Sequence, residues 1–246
     1  MRIRHTVLAA TGGAALMAVA ALPAAADPAV PPPAPPNPVF RTEATRQEAA
    51  TEAPVTASQL LDKVTRCTQI SRGKYRSDQG AAAKIPVCDA KGAVFWKADM
   101  DIDCDGQPTV RCNRQTDPYF QPTTAFQQSD GAQLNAEKLP FIVVPGPSSI
   151  WDYRVSGIRG GSVAAVIYKN KVQYAVVGDT GPTGIIGEAS YATAKALGID
   201  PHPSTGGAAS GVTYIVFKQS RVSPIESRNA ALTLGKSLAR SFVKNN

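Results

Sequence analysis

Between Val94 and Asp105, hydrophobic and polar residues alternate with the two-residue period of a β-strand. Successive side chains of a strand point to opposite faces, so the pattern predicts one buried face and one face that carries charge. The first face holds Val94, Trp96, Ala98, Met100, Ile102 and Cys104, and the second holds Phe95, Lys97, Asp99, Asp101, Asp103 and Asp105. We refer to Asp99, Asp101, Asp103 and Asp105 as the aspartate ladder. Neighbouring ladder carboxylates are about 7 Å apart and repel one another unless a cation lies against them.

The same criterion predicts further strands in the second half of the chain. Predominantly apolar runs fall at 139–144, 162–168, 171–177 and 212–217. The two middle runs flank Asn170 and are typical of a hairpin. Apolar residues at helical spacing predict three helices, the first capped by Ser58, the second at 189–197 and the third at 225–242. Because strands do not alternate with helices, the pattern favours a mainly β (α+β) barrel with peripheral helices.

The first 56 residues have the composition of a leader and a linker. Two arginines precede an apolar run at residues 7–22, and three alanines end at Ala26, which indicates a signal peptide over 1–26 cleaved after Ala26. Proline and alanine dominate 27–56, as in an extended linker. We therefore expect a secreted, extracellular protein with one folded domain over 57–246. No other stretch is long and apolar enough to cross a bilayer, so no membrane partner is expected.

Four cysteines imply two disulfides in an exported protein, with three possible pairings. Proximity in the sequence favours Cys67 with Cys88 and Cys104 with Cys112. A zinc site is the alternative, but the chain has no Cys-x-x-Cys pair, and His202 is the only histidine after the leader. We expect no metal and no cofactor.

A glycine-rich bend after the hairpin carries two candidate catalytic carboxylates. The strand at 171–177 is predicted to end at Gly178, which places Asp179 on a turn. Glu188 follows nine residues later, in or just before the first turn of the helix at 189–197. Two carboxylates on either side of one bend can face a common space. The alternative is structural, because a helix dipole favours a glutamate at its N-terminus and a turn aspartate bonds its own backbone.

The distribution of charge narrows the choice of ligand. A formal net charge of +7 suggests an anionic partner, but the basic residues are scattered, so we read them as a solvated surface and expect no nucleic acid. The aspartate ladder favours a polycationic ligand, with solvent counter-ions as the alternative. Asp101, Asp103 and Asp105 copy the first half of a calcium-binding EF-hand loop, but Cys112 stands where a bidentate glutamate is needed.

Three motifs in this order resemble those of the glycoside hydrolase family 75 chitosanases of actinobacteria and fungi. They are WKADMDIDCDG at 96–106, GDTGP at 178–182 and GEAS at 187–190. The resemblance extends over about 67–242 and is closest to the secreted, actinobacterial type. It implies a double-psi β-barrel-like core and an endo-acting hydrolase that cleaves β-1,4 linkages between glucosamine units of chitosan with inversion. It also implies an essential aspartate and glutamate, which match Asp179 and Glu188.

Chitosan carries many ammonium groups, so an acidic surface would attract it electrostatically. Asp99, Asp101, Asp103 and Asp105 are accordingly our candidate substrate-binding residues, with Tyr119, Trp151 and Tyr153 as candidate aromatic platforms. An inverting reaction needs one protonated and one ionised carboxyl, roughly 6.5 to 9.5 Å apart. Following the resemblance, we assign Glu188 as general acid and Asp179 as general base. Because a helix N-terminus stabilises ionised glutamate, burial or a neighbouring carboxylate must raise the pKa of Glu188, or the roles are reversed.

Two other functional classes fit part of the pattern. A non-catalytic polysaccharide-binding double-psi barrel would keep the ladder and the aromatics without needing both carboxylates at one glycosidic bond. Asp-Thr-Gly at 179–181 matches the aspartic-protease triplet, but such enzymes bring two copies together and this chain contains one. We expect a monomeric enzyme.

Overall fold

A computed structural model describes residues 53–246; the predicted signal peptide and most of the predicted linker lie outside the described residues. The strands are β1 (Thr68–Gln69), β2 (Cys88–Ala90), β3 (Ala93–Asp103), β4 (Phe141–Pro145), β5 (Val163–Tyr168), β6 (Lys171–Gly181), β7 (Glu188–Ser190) and β8 (Ala208–Phe217). The α-helices of the described part are α1 (Ala57–Leu61), α2 (Tyr191–Leu197) and α3 (Arg228–Asn245). Short 3₁₀ turns lie at Asp62–Val64 and Tyr153–Ser156.

Six of these strands close into a barrel in the order β3-β7-β4-β6-β5-β8, with β8 pairing back onto β3. The pairs β3–β7 and β4–β6 are parallel, and the other four are antiparallel. Closure satisfies the backbone hydrogen bonds that an open sheet leaves exposed at its edges. The short strands β1 and β2 extend antiparallel beside the first residues of β3. The predicted mainly β barrel with peripheral helices is confirmed.

Helix α3 covers one side of the barrel and closes its core. Gly235 of α3 lies against Tyr174 of β6, and a Cβ at this glycine would be 2.5 Å from the tyrosine ring. Near the end of α3, Phe242 packs edge-on against Phe217 of β8, with ring centroids 6.0 Å apart. The close approach of Tyr174 explains why this amphipathic helix has a glycine in its interior, where glycine otherwise weakens a helix.

Strand β6 continues beyond its predicted end, which changes the position of Asp179. The strand runs to Gly181 because β4 pairs with it in parallel as far as Pro145, and Asp179 lies opposite Val143. Gly178 does not end the strand; a Cβ there would lie 2.6 Å from the side chain of Phe141. The prediction that Asp179 lies on a turn is therefore wrong, since this glycine serves close packing inside a strand.

The helix ends follow capping chemistry. Helix α1 is capped by Thr56 and not by Ser58, because the Thr56 hydroxyl accepts from the backbone N–H of Gln59 and the Gln59 side chain accepts from the Thr56 N–H. Helix α2 begins after the cap residue Ser190 and ends at Gly198, whose φ of 75° suits glycine. Glu188 thus lies on β7, two residues before the cap.

Both predicted disulfides are confirmed: Cys67 is bonded to Cys88 and Cys104 to Cys112. The second bond closes a loop of eight residues directly after β3, where the aspartate ladder ends. Each bond restricts the unfolded chain and so stabilises the fold. Within residues 53–246, none of the helices has the length and hydropathy of a membrane span.

Candidate active site

A cleft of about 420 Å³ opens where β3 and β7 lie side by side. One wall is the loop that follows β3, which carries Tyr119, and the facing wall is the loop that includes Pro203 and Ser204. The two walls are joined where the Ser204 hydroxyl donates to the backbone carbonyl of Thr116 over 2.8 Å. Five carboxylates line the cleft: Asp101, Asp103, Asp105, Asp117 and Glu188.

Glu188 occupies the floor of this cleft. It lies opposite Asp101 in the parallel pairing of β3 with β7. A Cβ at Gly181 would lie 2.9 Å from Glu188 Oε2, so a glycine at this position leaves room for the carboxyl group. Burial raises the pKa of Glu188 to about 7, and the nearby carboxylates of Asp101, Asp105 and Asp179 act in the same direction. A role as general acid requires that burial or a neighbouring carboxylate raise the pKa of Glu188, and both do so.

Asp179 is held in a different environment. Its side chain is 7% exposed, and Oδ1 accepts hydrogen bonds of 2.7 Å from the backbone N–H groups of Ala125 and Thr180. Burial raises the pKa of Asp179, whereas these two hydrogen bonds lower it by favouring the ionised form. Of the two candidate catalytic groups, Asp179 is thus the one with backbone donors that stabilise its negative charge.

Asp103 and Asp105 connect Asp179 to the cleft. One carboxylate oxygen from each of the three residues lies within 4.8 Å of the others. Burial, followed by the charges of Glu188 and Asp179, raises the pKa of Asp103 well above its usual value. Burial also raises the pKa of Asp105 to about 6, although Asp105 Oδ1 accepts a 2.7 Å hydrogen bond from Gln121 N–H. Four acidic groups therefore share one region, and burial raises the pKa of each above its usual value.

The aspartate ladder is not the uniformly exposed face that its alternation predicted. Asp101 is exposed and Asp105 half-buried, but Asp99 and Asp103 are each only 6% exposed. Asp103 lies opposite Ser190 of β7, and one of its carboxylate oxygens is within 4.8 Å of those of Asp105 and Asp179. Asp99 packs against Gly187, where a Cβ would lie 2.2 Å from Asp99 Oδ1. The ladder therefore belongs partly to the interior of the site.

Sequence reasoning missed a further acidic residue, Asp78. Its carboxylate lies within 4.8 Å of those of Asp99 and Asp101. Asp78 stands in a polar loop without periodicity, so no local pattern distinguishes it. The loop reaches the site because Arg76 pairs with Ile185 in the bend between β6 and β7. That long-range bridge is visible only in the fold.

Only one of the three candidate aromatic platforms lines the cleft. Tyr119 is 86% exposed and forms part of the cleft wall. Trp151 is buried; its ring packs edge-on against Trp96, and its Nε1 donates to the Ser156 hydroxyl. Tyr153 is also buried. The structure does not bring the latter two to the cleft, so only Tyr119 enters the proposals below.

Within residues 53–246, two groups of three carboxylates have the spacing to hold a hard cation through oxygen ligands. They are Asp78 with Asp99 and Asp101, and Asp103 with Asp105 and Asp179. Neither group contains a histidine or cysteine, so neither has the ligand types typical of structural zinc. That the protein works without a metal or cofactor stays a prediction.

Fold and cleft together define the class: a small closed β-barrel with an open, carboxylate-lined cleft. Residues 100–243 match the family profile described as "Fungal chitosanase of glycosyl hydrolase group 75". The chain belongs to this family, glycoside hydrolase family 75. The resemblance of the three sequence motifs is thereby confirmed.

Individual relatives agree with this assignment. The chain is 33% identical over 170 residues to endo-chitosanase C of Aspergillus oryzae, covering 63% of this chain and 42% of that protein. It is 28% identical over 159 residues to an endo-chitosanase of Aspergillus fumigatus, covering 59% and 67%. It is 26% identical over 199 residues to endo-chitosanase B of A. oryzae, covering 73% and 83%. The chain thus spans about two fifths of the length of endo-chitosanase C.

Proposed function

We propose that this protein is a secreted endo-chitosanase that hydrolyses β-1,4 linkages between glucosamine units by an inverting general acid/base mechanism. The observation that carries the proposal is the position of Glu188 on the floor of an acidic cleft, with a pKa of about 7. Membership of family 75 and the similarity to endo-chitosanases support the choice of substrate. The two disulfides support export to an oxidising compartment.

Glu188 acts as the general acid in this proposal. A glycosidic oxygen leaves only when it gains a proton, and a carboxyl group with a pKa near the working pH can both hold and deliver one. Burial and the neighbouring carboxylates keep Glu188 protonated below about pH 7. Glu188 also lines the cleft, so the polymer can reach it.

Asp179 acts as the general base. Its two backbone hydrogen bonds from Ala125 and Thr180 stabilise the carboxylate form, which is the form that accepts a proton from water. Asp103 and Asp105 lie within 4.8 Å of it and line the cleft. A water molecule beside these three carboxylates would attack the anomeric carbon on the face opposite Glu188, as inversion requires.

The cleft suits a cationic polymer. Its lining includes five carboxylates, and the ammonium groups of chitosan would neutralise charges that otherwise repel one another. Tyr119 presents an exposed ring at the cleft wall, where a sugar face can stack. Neutral chitin or cellulose lacks the positive charge that this lining selects.

The test is an assay of product release, which measures reducing ends from chitosan and chitin and peptides from a protein substrate. We expect activity on chitosan and little on the other two. NMR of the earliest product should show the α-anomer at the new reducing end, because inversion of a β-linkage produces it. Release from the protein substrate alone, or an initial β-anomer, would contradict the proposal.

A Glu188→Gln variant tests the acid directly. Glutamine keeps the size of the side chain but carries no acidic proton, so we expect the turnover number to fall by roughly 10²- to 10⁴-fold. Glu137→Gln is the matched control, because Glu137 is half-buried away from the cleft lining, 4.0 Å from Arg111. Full activity of the Glu188→Gln variant would exclude Glu188 as the acid, whereas a wild type that binds chitosan but releases no reducing ends would favour the alternative of a polysaccharide-binding barrel.

A further inference from the structure

We propose that Asp78, Asp99 and Asp101 form a binding site for a single ammonium group, that of a glucosamine unit next to the cleaved linkage. The inference rests on the proposed function, since the cation is taken to be part of the polymer. It adds a residue from outside the aspartate ladder, Asp78, and a defined stoichiometry of one amine. It also identifies the residues by which the protein would distinguish glucosamine from N-acetylglucosamine.

The geometry of the three carboxylates fits one ammonium. An oxygen of each lies within 4.8 Å of the other two. A point equidistant from three oxygens at that spacing lies about 2.8 Å from each, which is the length of a charge-assisted N–H···O bond. An ammonium group has three N–H donors when its carbon occupies the fourth direction. Three acceptors around one nitrogen therefore satisfy it completely.

Asp99 supplies a second observation that points to a cation. Its side chain is more than nine-tenths buried, yet Oδ1 accepts no hydrogen bond from any residue of the described chain. A buried carboxylate oxygen without a donor is costly, and natural sites rarely keep one. Among residues 53–246, no lysine or arginine nitrogen lies within 4.0 Å of Asp78, Asp99 or Asp101. Within the described residues the three carboxylates thus have no salt-bridge partner, which a bound ammonium would supply.

The group opens towards the polymer path. A cavity of about 290 Å³ is lined by Asp78, Asp99 and Asp101, together with Gly206 and Ala208. Asp101 and Gly206 line both this cavity and the cleft that holds Glu188, so the two adjoin. Asp101 also lies opposite Glu188 across β3 and β7. A sugar whose amine sits among the three aspartates thus has its ring beside the proposed acid.

The backbone holds the site in place. The Tyr214 hydroxyl donates to the backbone carbonyl of Asp99 over 2.9 Å, and Asp101 N–H donates to the Gly187 carbonyl over 2.8 Å. Asp78 is positioned by the bridge from Arg76 to Ile185, in the bend that leads to Glu188. A fixed set of three acceptors discriminates strongly between an ammonium group and an N-acetyl group. The N-acetyl group has only one N–H donor for the three acceptors, and its methyl group would lie against charged oxygens.

The experiment compares the wild type with Asp78→Asn, using Asp62→Asn as the control. Asp62 is an exposed carboxylate on the 3₁₀ turn after α1 and lines neither cavity. With a fully deacetylated glucosamine hexamer, we expect Asp78→Asn to raise KM roughly 5- to 10-fold and to change kcat less than about twofold. With partly acetylated chitosan, mass spectrometry of the new chain ends should show several-fold more N-acetylglucosamine at one unit next to the cut. Unchanged KM and unchanged chain ends would overturn the proposal.

Binding separates this inference from the proposed function. Calorimetric titration of the hexamer should show weaker binding to Asp78→Asn than to Asp62→Asn, whether or not the wild type cleaves it. If the wild type binds the hexamer through Asp78 but releases no reducing ends, the hydrolase mechanism is contradicted and the ammonium site is still supported. Titration with Ca²⁺ or Mg²⁺ alone is the third arm. Micromolar metal binding that Asp78→Asn abolishes, with hexamer binding unaffected, would show a metal site and overturn the ammonium site.

Discussion

Asp101 and Glu188 lie directly opposite each other on the parallel strands β3 and β7. Neighbouring strands are about 4.8 Å apart, so the two carboxyl groups share one face at close range. Like charges at this separation disfavour simultaneous ionisation, and the buried partner keeps its proton. The charge of Asp101 is the second cause of the raised pKa of Glu188, after burial. The pairing of β3 with β7 thus helps to keep Glu188 protonated, as a general acid must be.

This relationship predicts a specific change in the pH profile. Wild-type kcat should fall as pH rises through about 7, because Glu188 loses the proton that the leaving oxygen needs. Asp101→Asn removes one negative neighbour and lowers the pKa of Glu188, so the alkaline limb should move to lower pH. The measurement is kcat against pH for both proteins on the same chitosan, which cancels the titration of the substrate amines. An alkaline limb at the same pH in both proteins would show that Asp101 does not control the acid.

Asp179 permits a test that separates catalysis from folding. Its Oδ1 accepts from the N–H groups of Ala125 and Thr180, and the side-chain oxygen of asparagine can accept the same two bonds. The unfolding free energy of Asp179→Asn should therefore lie within about 1 kcal/mol of the wild-type value, but the variant should release almost no reducing ends from chitosan. Asp179→Ala leaves these two part-buried N–H donors without their acceptor and should cost roughly 1 to 3 kcal/mol of unfolding free energy. Urea denaturation and the chitosan assay measure the two effects. Substantial activity in Asp179→Asn would exclude this residue as the base.

The raised pKa values also predict how stability depends on pH. Burial raises the pKa of Asp99 and Glu188 to about 7 and that of Asp105 to about 6, above their values in the unfolded chain. Between about pH 4 and pH 7 the folded state therefore binds more protons than the unfolded state, so unfolding free energy falls as pH rises. We expect a higher Tm at pH 5 than at pH 8. Asp99→Asn should flatten this dependence, and an equal slope in that variant would contradict the assignment to Asp99.

The sequence predicted the five longer strands, β3, β4, β5, β6 and β8, because their apolar residues form a local pattern, whereas β1, β2 and β7 are two or three residues long and were not predicted. It placed Asp179 on a turn because glycine usually interrupts a strand, whereas Gly178 is needed here for contact with Phe141. That contact joins residues far apart in the chain. Helix α2 was predicted correctly, since Ser190 and Gly198 act locally as its caps.

The candidate site was predicted in part for the same reason. Glu188 and the ladder stand out by motif and by alternation, but their burial depends on which strand lies beside each residue. Asp101 and Asp103 both pair with β7, yet Asp103 is buried near Asp105 and Asp179 whereas Asp101 is exposed. Asp78 has no local signal, because its position follows from a bridge between Arg76 and Ile185. The sequence places Trp151 in a loop-like stretch, but in the structure its ring packs against Trp96 in the core.

Gly187 links the proposed ammonium site to the proposed acid, and its substitution tests that link. Its φ of 126° is rarely adopted by other residues, and a Cβ would lie 2.2 Å from Asp99 Oδ1. We expect Gly187→Ala to lower the unfolding free energy by roughly 1 to 3 kcal/mol and to reduce kcat, because both Asp99 and the adjacent Glu188 must shift. Gly184→Ala is the matched control: it lies in the same bend, and a Cβ there has no atom within 4 Å. That variant should stay within about 0.5 kcal/mol of the wild type. Urea denaturation and reducing-end release measure both variants, and equal stability of the two would show that Asp99 does not pack against Gly187 as described.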